Sequence, residues 1–181
     1  MTKLLLIGTE DVHLSVLRLL QRKRINNVEI ILIGEKKNNT DFSTVCKNAN
    51  VTFIEDTIIS FDPLQKMLLS FSGEIYRFDV ISFNVDMKVS LFKQALVPVD
   101  AQGLMMVEDT LQNTEFPFLF GAGHCVTIAG QPNSAGDIEI QAEVLWQNIK
   151  LYLAGRPLKR LESQNNKSSF INKWIKHLYK K

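Results

Sequence analysis

The sequence predicts an α/β fold with a buried parallel sheet and a β-meander, and three observations carry that prediction. Two apolar runs, Leu4 to Ile7 and Val28 to Ile33, flank a segment of helical periodicity. From residue 51 the pattern shortens to strand-like segments separated by turn signals. The chain has 181 residues, 45% of them hydrophobic and 22% charged, which suits one core and is too short for two full domains.

The first run ends at Gly8, after which Val12, Val16, Leu17 and Leu20 recur at helical spacing up to the basic stretch Arg22-Lys23-Arg24. Asn26-Asn27 makes a turn, and Val28 to Ile33 reads as a second strand, apolar on both faces at its end. A β-α-β opening with such strands implies a parallel sheet covered on both sides. Three strand-like segments follow, Val51 to Phe61, Lys66 to Phe71 and Ile75 to Phe83. Asp62-Pro63 and Ser72-Gly73 separate them, which predicts a meander. Val97 to Asp100 and Leu104 to Val107 frame another turn at Gln102-Gly103. Phe116 to Phe120 predicts a buried strand running into Gly121-Ala122-Gly123. After a polar loop, residues 136–154 are helical by the spacing of Ile138, Ala142, Leu145, Ile149 and Leu153, and Gly155 and Pro157 end that helix. Residues 1–162 thus form the body. Residues 163–181 form a polar linker and a basic amphipathic helix with Phe170, Ile171, Trp174, Ile175, Leu178 and Tyr179 on one face.

The net charge of +2 conceals a division. Residues 1–155 carry 13 Lys/Arg against 18 Asp/Glu, whereas 156–181 carry 8 against 1. An acidic body repels phosphate, so no nucleic-acid partner is expected. The composition excludes a disordered chain, a collagen-like chain and a disulfide scaffold. Cys46 and Cys125 are the only cysteines and their spacing makes neither a metal site nor a redox dithiol. His13, His124 and His177 suggest no metal triad. The N-terminal apolar run is shorter than a secretory signal and no run approaches a membrane span, so a cytoplasmic location is expected. The basic tail has three uses open to it: contact with an anionic membrane surface, docking on the acidic body, or self-association.

The order of pieces resembles the FAD domain of the pyridine nucleotide-disulfide oxidoreductase superfamily, in its type II NADH dehydrogenase and selenophosphate synthetase-associated flavoprotein branches. Leu5-Leu6-Ile7-Gly8 with His13 and Val16-Leu17-Arg18 is similar to the opening nucleotide-binding turn. Tyr76 to Ser82 is similar to the segment that returns to the sheet before the family's second glycine turn. Phe118-Leu119-Phe120-Gly121-Ala122-Gly123-His124-Cys125 resembles the late fingerprint, and Gln141 to Leu158 the helix after it. The resemblance implies a Rossmann-like FAD/NAD(P)-binding three-layer fold. It further implies FAD as the cofactor, held by Gly8, Glu10, Glu35, Gly121, Gly123 and His124.

The sequence departs from the family in ways that bear on function. Only Met87 to Val97 stand where the family inserts its NAD(P)H-binding domain. In the opening turn the second glycine falls on Glu10 and the third near His13. Glu10 and Asp11 put negative charge where a pyrophosphate would approach a helix N-terminus, a repulsion on the order of a few kcal/mol. Both residues equally suit the first turn of a helix, where they complement its dipole. The acidic residue that holds ribose hydroxyls falls on Gly34, with Glu35 one place later. Asn84-Val85-Asp86 replaces the second glycine turn, and His124 replaces the late aspartate, where it could donate to a phosphate or serve structure alone. These losses predict a reduced oxidoreductase domain with no catalytic residues, used for interaction or assembly as a homodimer or with a partner protein. Two alternatives remain open: a minimal FAD-binding electron-transfer flavoprotein, and a peripheral membrane protein acting through 170–181.

Overall fold

The computed structural model describes residues 1–22, 25–36, 42–86, 90–129 and 137–161. The expected linker and helix at 163–181 lie outside the described residues, as do Lys23, Arg24 and the loop containing Gly130, Pro132 and Asn133.

The chain opens with β1 (Thr2–Ile7), α1 (Asp11–Arg22) and β2 (Val28–Gly34), the β-α-β unit that the apolar runs predict. α2 (Phe42–Ala49) and β3 (Thr52–Glu55) extend it on one side, and β7 (Val80–Phe83) and β9 (Leu119–Gly121) on the other. All five strands are parallel, in the order β3-β2-β1-β7-β9. Leu4, Leu5 and Leu6 of the central strand are fully buried, because helices cover one face and the meander the other. Each buried leucine contributes roughly 2 kcal/mol.

The meander is β4 (Ile58–Asp62), β5 (Met67–Ser70) and β6 (Ile75–Arg77), an antiparallel sheet in that order. It packs on the parallel sheet through aromatic contacts, with the Phe61 ring 5.3 Å from that of Phe83 and 6.1 Å from that of Phe78. α3 (Ser90–Gln94) adds Phe92 edge-on to Phe83 at 5.0 Å. β8 (Met105–Val107) and β10 (Val126–Ile128) pair in parallel as a separate ribbon. α4 (Ile138–Leu153) lies against α1 on the helical side, which completes three layers.

Two predicted segments divide where polar side chains intervene. The strand expected over 51–61 breaks at Asp56, whose carboxylate accepts from the Thr57 N–H at 2.8 Å. Its first half joins the parallel sheet as β3 and only its second half enters the meander. The segment 75–83 breaks likewise before Asp79, whose carboxylate accepts from the Lys3 N–H at 2.7 Å while its own N–H donates to the Lys3 carbonyl at 2.9 Å. Those two bonds dock the start of β7 on β1. Within 116–120 only the end is strand, since Asn113 Oδ1 accepts from the Glu115 and Phe116 N–H groups and holds them in a turn.

Candidate functional site

Strand connections run outward from β1 in opposite directions, to β2 and β3 on one side and to β7 and β9 on the other. The crevice beyond the C-terminal ends of β1 and β7 is therefore a topological switch point, the place where folds of this kind bind ligands. Three loops meet there: Gly8 to Asp11, Asn84 to Asp86, and Ala122 to His124.

Gly8 has φ +98°, and a Cβ on it would collide with the Asn84 carbonyl oxygen, so only glycine lets these two strand ends close. At the third glycine position stands His13, fully buried. Its Nδ1 lies 2.8 Å from the Gly8 carbonyl, which can only accept, so Nδ1 carries the proton. Nε2 then accepts from the Ser82 hydroxyl at 2.9 Å. Burial pushes its pKa down to about 4, against the smaller upward pull of the Gly8 carbonyl. His13 is a neutral tie between β1, α1 and β7.

Asn84 is buried between the two glycine turns. Its Oδ1 accepts from the His13 N–H, in the first turn of α1, at 3.0 Å. Its Nδ2 donates to the Ala122 carbonyl at 3.0 Å. Gly123 has φ +73°, and a Cβ there would run into Asn84 Nδ2. The Gly123 N–H donates to Gln141 Oε1 of α4 at 2.9 Å. Asp137 caps α4, accepting from the Glu139 N–H at 2.8 Å and the Ile140 N–H at 3.4 Å.

The crevice is thereby divided. On one side a cleft of about 410 Å3 is lined by Gly8, Glu10, Glu35, Asp56 and Asp86 over an apolar floor that includes Ile33 and Phe83. No Lys, Arg or His is among the described residues lining it. On the other side about 50 Å3 remains between Glu10, Asp11, Asn84, Gly123, His124 and Gln141.

The fold thus brings Gly8, Glu10 and Glu35 to one cleft and Glu10, Gly123 and His124 to the smaller space. Gly121 belongs to neither. It lies within β9, where a Cβ would meet the Met105 methyl and Val126 Cγ1, so the packing of β9 on the β8–β10 ribbon requires it. At Gly34, where an acidic residue was expected, a Cβ would make tight contacts, 3.1 Å from Thr9 Cγ2 and 3.2 Å from Gly8 Cα. Glu35, one place on, is exposed, and its carbonyl accepts from the Thr9 hydroxyl at 2.8 Å. Ser82, Gln141 and Asp137 were not singled out by the motifs. Polar residues interrupting an apolar strand, as Ser82 and Asn84 do after Val80 and Ile81, were the available signal.

Cys125 is fully buried with its thiol donating to the Ala122 carbonyl at 3.4 Å, and burial raises its pKa to about 11. It is a packing residue. Among the described residues no group of three His, Cys, Asp or Glu could hold a metal ion, and no helix is long and apolar enough to cross a membrane.

The smaller space is a poor fit for the diphosphate of a dinucleotide. Two of the amides that face it are already engaged, the His13 N–H of α1 by Asn84 and the Gly123 N–H by Gln141, and the space is about 50 Å3 bordered by two carboxylates.

No family model and no curated protein matches the sequence. Solved structures do. The sulfide:quinone oxidoreductase of Aquifex aeolicus aligns over 87% of this chain and 78% of its own, with a TM-score of 0.65 and 11% identity. The NADH:rubredoxin oxidoreductase of Clostridium acetobutylicum aligns over 90% of this chain and 77% of its own, with a TM-score of 0.62 and 11% identity. At such identity the likeness is one of architecture, and the chain has the Rossmann-like FAD/NAD(P)-binding fold of these oxidoreductases.

Proposed function

We propose that this protein is a non-catalytic domain on an oxidoreductase fold, acting by protein contact, as a homodimer or with a partner, and not by flavin chemistry. One observation supports this reading: the space between the first turn of α1 and the late glycine turn is only about 50 Å3 and is bordered by Glu10 and Asp11. At the effective dielectric near a protein surface, a phosphate about 5 Å from one carboxylate loses roughly 3 kcal/mol. Two carboxylates border the space, and their charge opposes that of an anion there. Residues 84–104 support the same reading from another side, since their only described helix is the five-residue α3, which supplies no second nucleotide-binding unit.

The visible absorbance of protein purified after expression with FAD supplied tests the reading. A colourless protein whose melting temperature neither FAD nor NADH raises is the expected result. A near-stoichiometric flavin spectrum would overturn it in favour of a minimal electron-transfer flavoprotein using the 410 Å3 cleft beside Glu35. Light scattering of the colourless protein then reads the contact function, with a dimer expected.

A further inference from the structure

We propose that Asn84 is an internal ligand, its carboxamide standing in for a diphosphate between the two glycine turns and setting the specificity of the smaller space against dinucleotides. This inference rests on the non-catalytic reading above and names the residue responsible for it.

The N-terminus of a helix exposes N–H groups that lack partners within the helix, and a bound anion is one way to supply the acceptor. Here the acceptor is built in. Asn84 Oδ1 meets the His13 N–H at 3.0 Å, and Nδ2 meets the Ala122 carbonyl at 3.0 Å, so a single side chain joins the first turn of α1 to the late glycine turn. The flanking donors are engaged in the same manner, the Gly123 N–H by Gln141 and the first turn of α4 by Asp137. Asn84 is 2% exposed, so both of its bonds lie out of reach of water, and a buried amide that lost such a partner would remain unsatisfied. The Gly123 backbone is shaped around this side chain as well, since a Cβ there would occupy the position of Asn84 Nδ2. A diphosphate that took the His13 N–H would have to displace the carboxamide, and in the smaller space it would lie beside Glu10 and Asp11. Occupation by Asn84 and repulsion by Glu10 are thus separate barriers to one ligand class, and both must be removed to admit it.

The test compares the wild type with Asn84→Gly, Glu10→Gly and the double variant, titrated with ADP and with FAD by calorimetry. No saturable binding by the wild type at millimolar ligand is expected. The double variant should bind ADP at least about tenfold more tightly than either single variant. A wild type that binds FAD stoichiometrically overturns both this inference and the non-catalytic reading. A wild type that does not bind, with a folded double variant that gains nothing, overturns the inference alone. Should the variants fail to fold, amide exchange in the wild type decides. A His13 N–H that exchanges as slowly as the core of β1 and does not shift on adding ADP supports an internal ligand, and one that exchanges freely or shifts with ADP overturns it.

Discussion

The Ser82 hydroxyl donates to His13 Nε2 across 2.9 Å, joining the middle of the parallel sheet to the first turn of α1 by a bond between two fully buried side chains. Because His13 Nδ1 donates its only proton to the Gly8 carbonyl, the ring has no site left for a second proton without losing the Ser82 bond.

Acid should therefore weaken the fold. His13 has a folded pKa of about 4 against an ordinary value of 6.5, so between those values the unfolded chain binds the extra proton and the folded one does not. Its contribution is complete above pH 6.5 and is lost as pH falls toward 4. The loss is on the order of 3 kcal/mol. Urea unfolding at about pH 7, above that window, and about pH 4.5, near its lower end, measures most of it. In His13→Gln the difference between the two conditions should shrink by most of that amount. An unchanged difference would show that other groups govern the acid response.

Neither thiol should be reactive in the folded protein. Burial raises both Cys46 and Cys125 to a pKa of about 11, which leaves almost no thiolate at about pH 8. Ellman's reagent should find both only after denaturation. Rapid modification of Cys125 in native protein would assign it a role other than packing.

Two glycines with similar backbone angles should respond very differently to alanine. Gly8 at φ +98° faces the Asn84 carbonyl and Val85, and Gly73 at φ +90° has nothing within 4 Å of its missing Cβ. Gly73→Ala should cost about 1 kcal/mol, the strain of the left-handed region alone. Gly8→Ala adds a backbone collision and should cost several times as much. Chemical denaturation of the two variants gives the comparison, and equal losses would mean that the β1 and β7 ends are not held together as described.

The central β-α-β unit was legible because Leu4 to Ile7 is buried on both faces and Ile30 to Ile33 is apolar throughout, so neither run shows polar alternation to confuse the period. Helix α4 was legible to within two residues, and its actual start is set by Asp137, a cap with no apolar signature. The division of 51–61 was not legible, since β3 and β4 are both half-exposed strands and only the pairing of β3 with β2, as of Ile54 with Ile33, assigns it to the parallel sheet. α2 has Phe42, Val45, Cys46 and Ala49 at helical spacing, a weak signal over eight residues diluted by Ser, Thr, Lys and Asn. At the site, the positions came from motif order. The closure did not, since Asn84, His13 and Gln141 meet from segments far apart in sequence and a polar residue does not announce which distant amide it will satisfy.

The last described segment of the chain depends on one side chain. Asn148 of α4 is fully buried, and its Nδ2 donates to the Thr110 carbonyl at 2.8 Å and the Lys159 carbonyl at 2.7 Å while Oδ1 accepts from the Lys159 N–H at 2.8 Å. The carboxamide pairs with residue 159 as a strand would, and the Leu161 N–H completes the attachment on the Asp109 carbonyl at 2.7 Å. By contrast the Arg160 to Asp109 ion pair, at 3.7 Å with an exposed arginine, adds little. Asn148→Ala removes three bonds, a loss of about 2 to 3 kcal/mol. Asn148→Asp should be no better, because a carboxylate would face the Thr110 and Lys159 carbonyls with no proton to donate. In both variants residues 156–161 should detach before α4 unfolds, so trypsin should cleave after Lys159 faster than in the wild type while the circular dichroism of the helices stays the same. Mass spectrometry of the cleaved chain locates the cut. If cleavage after Lys159 is unchanged, the segment is held by Leu161 and its neighbours and not by Asn148.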